Sequence, residues 1–393
     1  MDRNLLLVTL AMGTWGVGEG FFIYFQPLYL QQWGADPLLI GGIFGAMGVA
    51  MALAQIPAGY LSDRLGSRNI MWLSWILGTV SAWTMALANS LPLFVVGIIF
   101  YGLAGFVLAP MNSYITNVRG NLSIGRAIAI PAGIYSLGTV IGPIIGGIVA
   151  DQMGFQAVYI IASLIFIVST TIILFVQKKP DVHHTDQESV KSKGLLKNIR
   201  FMAFLAVVLI TTFALYLPQP FTPNFLQNQQ QLTSSTIGIL GAFGSLGSAL
   251  SMLFLSKLGS LTGFFISQLM LVIFVILFLK GNNTILFGLG YLFVGGYRLC
   301  RVMVLSIGRS MIHPSETGLA YGLIETMNAV TMILAPILAG ALYRHDPYSM
   351  YRVGLMILAV VLGINIVIFT LINLRKAKQN GNKSMGVVYR TIK

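Results

Sequence analysis

Only eleven acidic residues occur in this chain of 393, so each one can be weighed singly. Asp2, Asp36, Asp63, Asp151, Asp181, Asp186, Glu188, Glu316 and Asp346 fall at the ends of apolar runs, in connections or in a polar middle segment. Glu19 and Glu325 alone lie inside long apolar runs. Burial favours the protonated form of a carboxyl group, so a carboxyl in such a place can carry a proton near neutral pH. Glu19 shares a helical stripe with Met12, Trp15, Phe22 and Gln26, and Glu325 shares one with Tyr321, Asn328 and Met332. Two cations are also embedded in an apolar run. Arg298 and Arg301 are three residues apart and share one helical face. A guanidinium offers a fork matched to carboxylate or phosphate, so this pair could grip an anionic solute or neutralise the two acids. Glu19 is the first candidate for proton coupling and Glu325 the next, with structural bonding to another helix as the alternative for Glu19. Glu325 is expected as the partner of an arginine, Arg298 for preference, because their two runs are consecutive.

Other chemistry finds little support. Cys300 is the sole cysteine, so no internal disulfide is possible. His183 and His184 sit in the polar middle segment without Cys or acids at ligand spacing, which gives no metal site. There is no phosphate-binding Gly-x-x-x-x-Gly-Lys-Ser/Thr loop and no Ser/His/Asp set, so neither an ATP-driven protein nor an enzyme is indicated, and no cofactor is expected.

The elements that must hold these residues are membrane helices. Hydrophobic residues make up 56% of the chain and charged ones 9%, against about 25% charged in soluble domains. About 20 apolar residues cross a hydrocarbon core as a helix. Twelve such runs can be counted, over 5–30, 38–60, 70–88, 92–116, 127–149, 157–177, 199–222, 235–256, 262–279, 284–307, 317–342 and 350–374. This predicts an all-α membrane protein of two six-helix halves. The first half spans 1–177 and the second 199–376, joined by a polar linker over 178–198 and followed by a basic tail over 377–393. The first run holds Glu19 and is too long for a signal-peptide core, so it is expected to stay in the mature protein.

The net charge of +13 invites a nucleic-acid partner, but its placement argues against one. With the N-terminus in the cytoplasm, 19 of the 24 Lys and Arg fall on the cytoplasmic side and three (Lys280, Arg344, Arg352) on the other. Cytoplasmic loops carry the basic excess. Both termini are therefore expected in the cytoplasm, with the bilayer as the partner of the basic tail.

The halves repeat each other. Pro27-Leu28-Tyr29-Leu30-Gln31 recurs as Pro223-Asn224-Phe225-Leu226-Gln227, an offset of 196. Gly42-Ile43-Phe44-Gly45-Ala46-Met47-Gly48 recurs at the same offset as Gly238 to Gly244. Gly142-Pro143-Ile144-Ile145-Gly146-Gly147 matches Ala335-Pro336-Ile337-Leu338-Ala339-Gly340, offset 193. Repeated halves place a ligand site at the bilayer midplane between them.

Two motifs carry a family resemblance. Between the second and third runs stands Gly59-Tyr60-Leu61-Ser62-Asp63-Arg64-Leu65-Gly66-Ser67-Arg68. Here Gly59 and Gly66 would permit a tight turn, Asp63 would accept from a helix N-terminus, and Arg64 and Arg68 would pair with acids or headgroups. In the fifth run stands Gly138-Thr139-Val140-Ile141-Gly142-Pro143-Ile144-Ile145-Gly146-Gly147, whose glycines allow close helix packing while Pro143 bends the helix. The first motif resembles the loop signature of the major facilitator superfamily. The second (Gly138, Gly142, Pro143, Gly146, Gly147) resembles a pattern of its drug–proton antiporter branch, related to multidrug and sugar efflux proteins.

That resemblance implies secondary active transport by alternating access, with the loop motif controlling conformation. It also implies a central cavity lined by the first, fourth, seventh and tenth helices. Trp15, Gln26, Tyr101, Asn112, Thr212, Tyr216, Tyr297, Arg298 and Arg301 are then the candidates to line it. The expected activity is proton-coupled efflux of small amphipathic compounds by a monomer in the inner membrane of a bacterium. The alternatives are transport of an organic anion or sugar through Arg298 and Arg301, and a sensor or lipid-handling relative without net flux. One family feature is missing: proton-coupled relatives often carry an arginine in the fourth helix, and no Arg occurs from Leu91 to Val118.

Overall fold

The computed structural model describes residues 2–178, 195–312 and 317–367. All but the ends of the expected linker, His313, Glu316 and the basic tail lie outside the described residues. The chain forms α1 (Arg3–Phe22), α2 (Gln26–Gln32), α3 (Pro37–Leu65), α4 (Ser67–Ala86), α5 (Leu91–Ala104), α6 (Leu108–Asn117), α7 (Ile124–Met153) and α8 (Phe155–Leu174). The second half forms α9 (Ile199–Tyr216), α10 (Thr222–Asn228), α11 (Ser234–Phe254), α12 (Ser260–Lys280), α13 (Thr284–Val294), α14 (Gly296–Arg309), α15 (Thr317–His345) and α16 (Ser349–Val367). Among the described residues, eleven stretches are long and apolar enough to cross a membrane. The twelfth is α4, a helix of 20 residues whose Ser, Asn, Arg and Trp content makes it less apolar.

The first, fourth, seventh and tenth crossings, expected as continuous helices, are each broken in two. α1 gives way to α2 at 23–25, ahead of Pro27 at the start of α2. α5 passes into α6 through a 3-10 turn over Gly105–Val107. α9 ends before Pro218 and Pro220, which lack the N–H that a helix interior needs. α13 and α14 part at Gly295, where an added Cβ would collide with the backbone of Gly247 and Ser248. Broken helices in a bundle mark the segments that line a ligand cavity.

Side-chain polarity caps many of the helix starts at the membrane ends. Asp36 accepts from the N–H of Leu39 at 2.8 Å, Asn283 from that of Leu286 at 2.9 Å, and Asn198 from those of Arg200 and Phe201. Gly66 has φ 85°, so the turn between α3 and α4 needs a residue without a Cβ. Gly59, expected in that turn, lies instead inside α3, as do Asp63 and Arg64.

Glycines fix how the helices meet. On α7, Gly138, Gly142 and Gly146 face α1, where added Cβ atoms would collide with the backbone of Gly13, Val17, Gly20 and Phe21. Ile141, Ile145 and Ile148 of the same helix stay exposed on its outer side, the face that lipid would cover. Gly147 faces the other half, where a Cβ would sit 2.5 Å from the carbonyl oxygen of Ser234. Gly238 of α11 meets the carbonyl of Pro143 in the same seam. The repeat builds a matching seam between α3 and α15: Gly340, the counterpart of Gly147, meets the carbonyl of Pro37, and Gly41 meets that of Pro336. With no hydrophobic drive between helices in lipid, such backbone-to-backbone approach supplies much of the association.

The contacts described between the halves lie from the middle of the bundle to the end opposite the termini. Asp151 of α7 accepts from the N–H groups of Ser234 and Ser235, the first residues of α11, at 2.8 and 2.7 Å. Gln31 bonds Asn224 at 2.6 Å and Asn228 at 3.0 Å, and Arg344 pairs with Asp36 at 3.4 Å. The halves are thus joined at that end.

Candidate functional site

Two charged clusters occupy the interior. The first belongs to the N-terminal half. Glu19 on α1 is half-buried, and its Oε2 accepts a hydrogen bond from the hydroxyl of Tyr135 on α7 at 2.9 Å. Tyr101 of α5 and Trp15, one turn back on α1, stand beside the same carboxylate. Trp15 is held in place by stacking on Phe166 of α8, with ring centroids 4.0 Å apart and planes at 12°, and by an edge contact to Trp75 at 5.5 Å. Tyr101 stacks parallel to Trp15 at 6.4 Å and meets Phe22 edge-on at 5.4 Å. The carboxylate therefore sits in an aromatic frame with hydroxyl partners.

The second cluster belongs to the C-terminal half. Arg301 on α14 donates to Glu325 on α15 at 2.7 Å, with the side chains 38% and 45% exposed. Asn328, one turn on from Glu325, donates to the same carboxylate oxygen at 3.4 Å. This corrects the expected pairing: Arg301, not Arg298, meets Glu325. The three-residue spacing puts both arginines on one face, but only Arg301, one turn further along α14, reaches the acid. Tyr297 is 9% exposed, lies tilted against Tyr216 of α9 with ring centroids 5.3 Å apart, and its hydroxyl has no partner among the described residues. Arg298 is exposed, forms no hydrogen bond or ion pair among the described residues, and lies within electrostatic reach of Glu19, Tyr24 and Tyr135.

Several expected cavity residues turn elsewhere. Gln26 is 2% exposed and points to the sulfur of Met85, inside the N-terminal half. Thr212 is fully buried and shares a 2.9 Å hydrogen bond with Thr331, tying α9 to α15. Asn112 is half-buried on α6 and joins neither cluster. Arg64 lies over the ring of Tyr60 at 4.4 Å; Arg68 lies over that of Trp72 at 4.1 Å and donates to Oδ1 of Asn69 at 3.3 Å. The side chain of Asp63 lies outside the described residues. Tyr135 and Asn328 are site residues that were not singled out as such from the sequence. Tyr135 was within reach, since it continues the stripe of Gly138, Gly142 and Gly146 by one turn. A pocket of ≈ 420 Å³ between Gln31, Asp151, Phe155, Gln227 and Ser234 lies at the joined end, away from both clusters.

Comparison with known proteins agrees with this architecture. An uncharacterized MFS-type transporter of Methanocaldococcus jannaschii is 29% identical over 209 residues, covering 51% of this chain and 54% of that one, so this match spans about half of the relative. The quinolone resistance protein NorA of Staphylococcus aureus is 25% identical over 393 residues, covering 92% of this chain and 96% of NorA. Among solved structures, the nucleoside transporter NupG superposes with a TM-score of 0.82 at 16% identity, over 93% of this chain and 100% of that one. The human organic anion transporter MFSD10 superposes with a TM-score of 0.66 at 15% identity, over 92% and 99%. The profile of the Major Facilitator Superfamily matches residues 5–306 and 204–388, nearly the whole length. The paired halves, the two glycine seams and this match together make the chain a member of the Major Facilitator Superfamily, an integral membrane transporter and not an enzyme.

Proposed function

We propose that the protein exports small amphipathic compounds in exchange for protons, as a monomer in a bacterial cytoplasmic membrane with both termini inside. The observation that carries this reading is Glu19, a carboxylate inside a membrane helix, bonded to Tyr135 and bordered by aromatic rings. An ionisable group at that depth is costly to keep unless it works. The likeness to NorA over nearly the full length supports a drug-like cargo. With the termini inside, the described state is joined outside and faces the cytoplasm. Cargo would enter there on an unprotonated Glu19. After the halves rock, Glu19 would take a proton from outside as cargo leaves, and the proton would be released inside on return. The aromatic faces of Trp15, Tyr101, Tyr216 and Tyr297 suit planar apolar cargo of varied shape.

A second reading keeps the fold and changes the cargo. Arg298 is without an ion pair among the described residues, and a free guanidinium in a cavity would hold an organic anion. The fold is shared with an organic anion transporter, although at an identity that speaks only to fold.

Vesicles containing the purified protein decide between them. Under an imposed proton gradient, a fluorescent amphipathic dye should be moved against its own gradient, and an aromatic carboxylate should not. Glu19→Gln keeps size and hydrogen bonding but cannot ionise. It should abolish gradient-driven dye accumulation and leave dye exchange intact. Unchanged accumulation in Glu19→Gln would remove this residue from the mechanism.

A further inference from the structure

We propose that Tyr24 is the stopper that shuts the cargo cavity from the outer end, seated in a groove that Gly241 and Gly244 leave on α11 of the other half. The inference rests on the reading that the joined end faces outside. A repeat that the two seams use differently leads to it. Gly45 and Gly48 of α3 recur 196 residues on as Gly241 and Gly244 of α11. On α3 the pair meets backbone. An added Cβ would lie 2.9 Å from the carbonyl oxygen of Ile333 at Gly45, and 3.1 Å from that of Met332 at Gly48. On α11 the pair meets a side chain. A Cβ on Gly241 would lie 2.7, 2.8 and 2.9 Å from Cδ2, Cε2 and Cγ of Tyr24, and one on Gly244 would lie 3.3 Å from its hydroxyl oxygen. The position that answers Tyr24 at the same offset is Pro220, which has no ring to offer α3.

Placement gives the ring its role. Tyr24 lies in the break between α1 and α2, and its side chain is half-buried. Tyr291 of α13 borders the seat edge-on, with ring centroids 6.2 Å apart and planes at 68°. Ser245 of α11 stands beside the Tyr24 hydroxyl. Gly241, Gly244, Ser245 and Tyr291 all belong to the C-terminal half, so the ring of Tyr24 spans the seam. Along α11 the seat lies about 10 Å inward from the bonds of Asp151 to Ser234 at the joined end. Along the first crossing Glu19 lies about 8 Å further toward the termini. The ring therefore stands between the outer polar contacts and the carboxylate with its aromatic frame.

A ring in a groove closes a seam differently from helix on helix. Backbone seated on backbone parts only when whole helices move apart. A side chain leaves its seat by turning about its own bonds, and here the non-helical residues 23–25 carry it. The seat exists because Gly241 has no Cβ, so a single methyl group there would expel the ring. Removing the ring or filling its seat thus opens the outer path, while the backbone packing of α3 on α15 stays as it is.

A cysteine beneath the stopper tests this. Ser245→Cys in a Cys300→Ala background puts one thiol beside the Tyr24 hydroxyl, on the terminal side of Gly241. Intact cells making the full-length protein are treated from outside with an impermeant thiol reagent. The rate is divided by that of a small permeant reagent, which removes any change in the reactivity of the thiol itself. With Tyr24 in place the ratio should be low. Tyr24→Ala should raise it about tenfold, the shift in open population expected when an aromatic contact across the seam is lost. Tyr24→Phe, which keeps the ring, should stay low, and Tyr24→Leu serves if the Ala variant does not fold. Gly241→Ala should raise the ratio when Tyr24 is present and add nothing to Tyr24→Ala. An unchanged ratio in Tyr24→Ala overturns the stopper. An equal rise from Gly241→Ala with and without Tyr24 overturns the seat. A high ratio with Tyr24 in place would mean that the described state opens outward, and the orientation reading would fall and this inference with it.

Discussion

Arg301 and Glu325 form an ion pair at 2.7 Å, yet each side chain keeps more than a third of its surface open. Solvent screening at that exposure limits the worth of a pair to about 0.2–1 kcal/mol, against about 3–5 kcal/mol for breaking one that is buried. A double-mutant cycle on thermal stability with Arg301→Gln and Glu325→Gln should therefore return a coupling of at most about 1 kcal/mol. The same cycle with Arg298 in place of Arg301 should return none. A coupling of about 3 kcal/mol or more would mean that the pair is shut from water in solution. The embedded charges were legible because so few acids and bases sit within apolar runs. Which arginine would reach Glu325 was not, because a three-residue spacing fixes a face and leaves the crossing angle of the neighbour open. Gln26 and Thr212 misled for a related reason: a polar side chain in a membrane helix bonds whatever lies nearest, here Met85 and Thr331.

At the scale of elements, the small-residue stripe of α7 serves two different partners. Gly142 packs within its own half against α1, where the backbone of Val17 and Gly20 cannot yield. Gly147 packs against α11 of the other half, which can move away. Gly142→Ala should lower stability by about 1–3 kcal/mol through overpacking, seen as a lower unfolding temperature. Gly147→Ala should leave that temperature nearly unchanged and part the seam. In a Cys300→Ala background, Phe25→Cys, whose native ring lies at the same seam and is buried, should then be alkylated faster by an impermeant thiol reagent. Equal loss of stability in both variants would contradict the division of roles. The glycine spacing on α7 was plain in the sequence; that it joins the halves as well as α1 was not, because contact between distant segments leaves no local trace. The breaks in the first, fourth, seventh and tenth crossings had signals in Pro27, Gly105, Pro218, Pro220 and Gly295, hidden by an apolar average over each run.

For the whole molecule, the duplicated sequence gives two seams of the same construction, α7 on α11 and α3 on α15. Both seams and the polar bonds of Asp151, Gln31 and Asp36 gather toward one end. If transport proceeds by alternating access, that end must open in every cycle, and its contacts are the ones that must break. Cysteines in place of Asp36 and Arg344, in a Cys300→Ala background, put one thiol on each half at the site of the 3.4 Å ion pair. A cleavable thiol cross-linker spanning a side-chain pair would then tie the halves at the joined end. In vesicles, cross-linking should stop gradient-driven transport of the amphipathic dye, and cleaving the linker should restore it. Undiminished transport with the cross-link intact would contradict alternating access through this end.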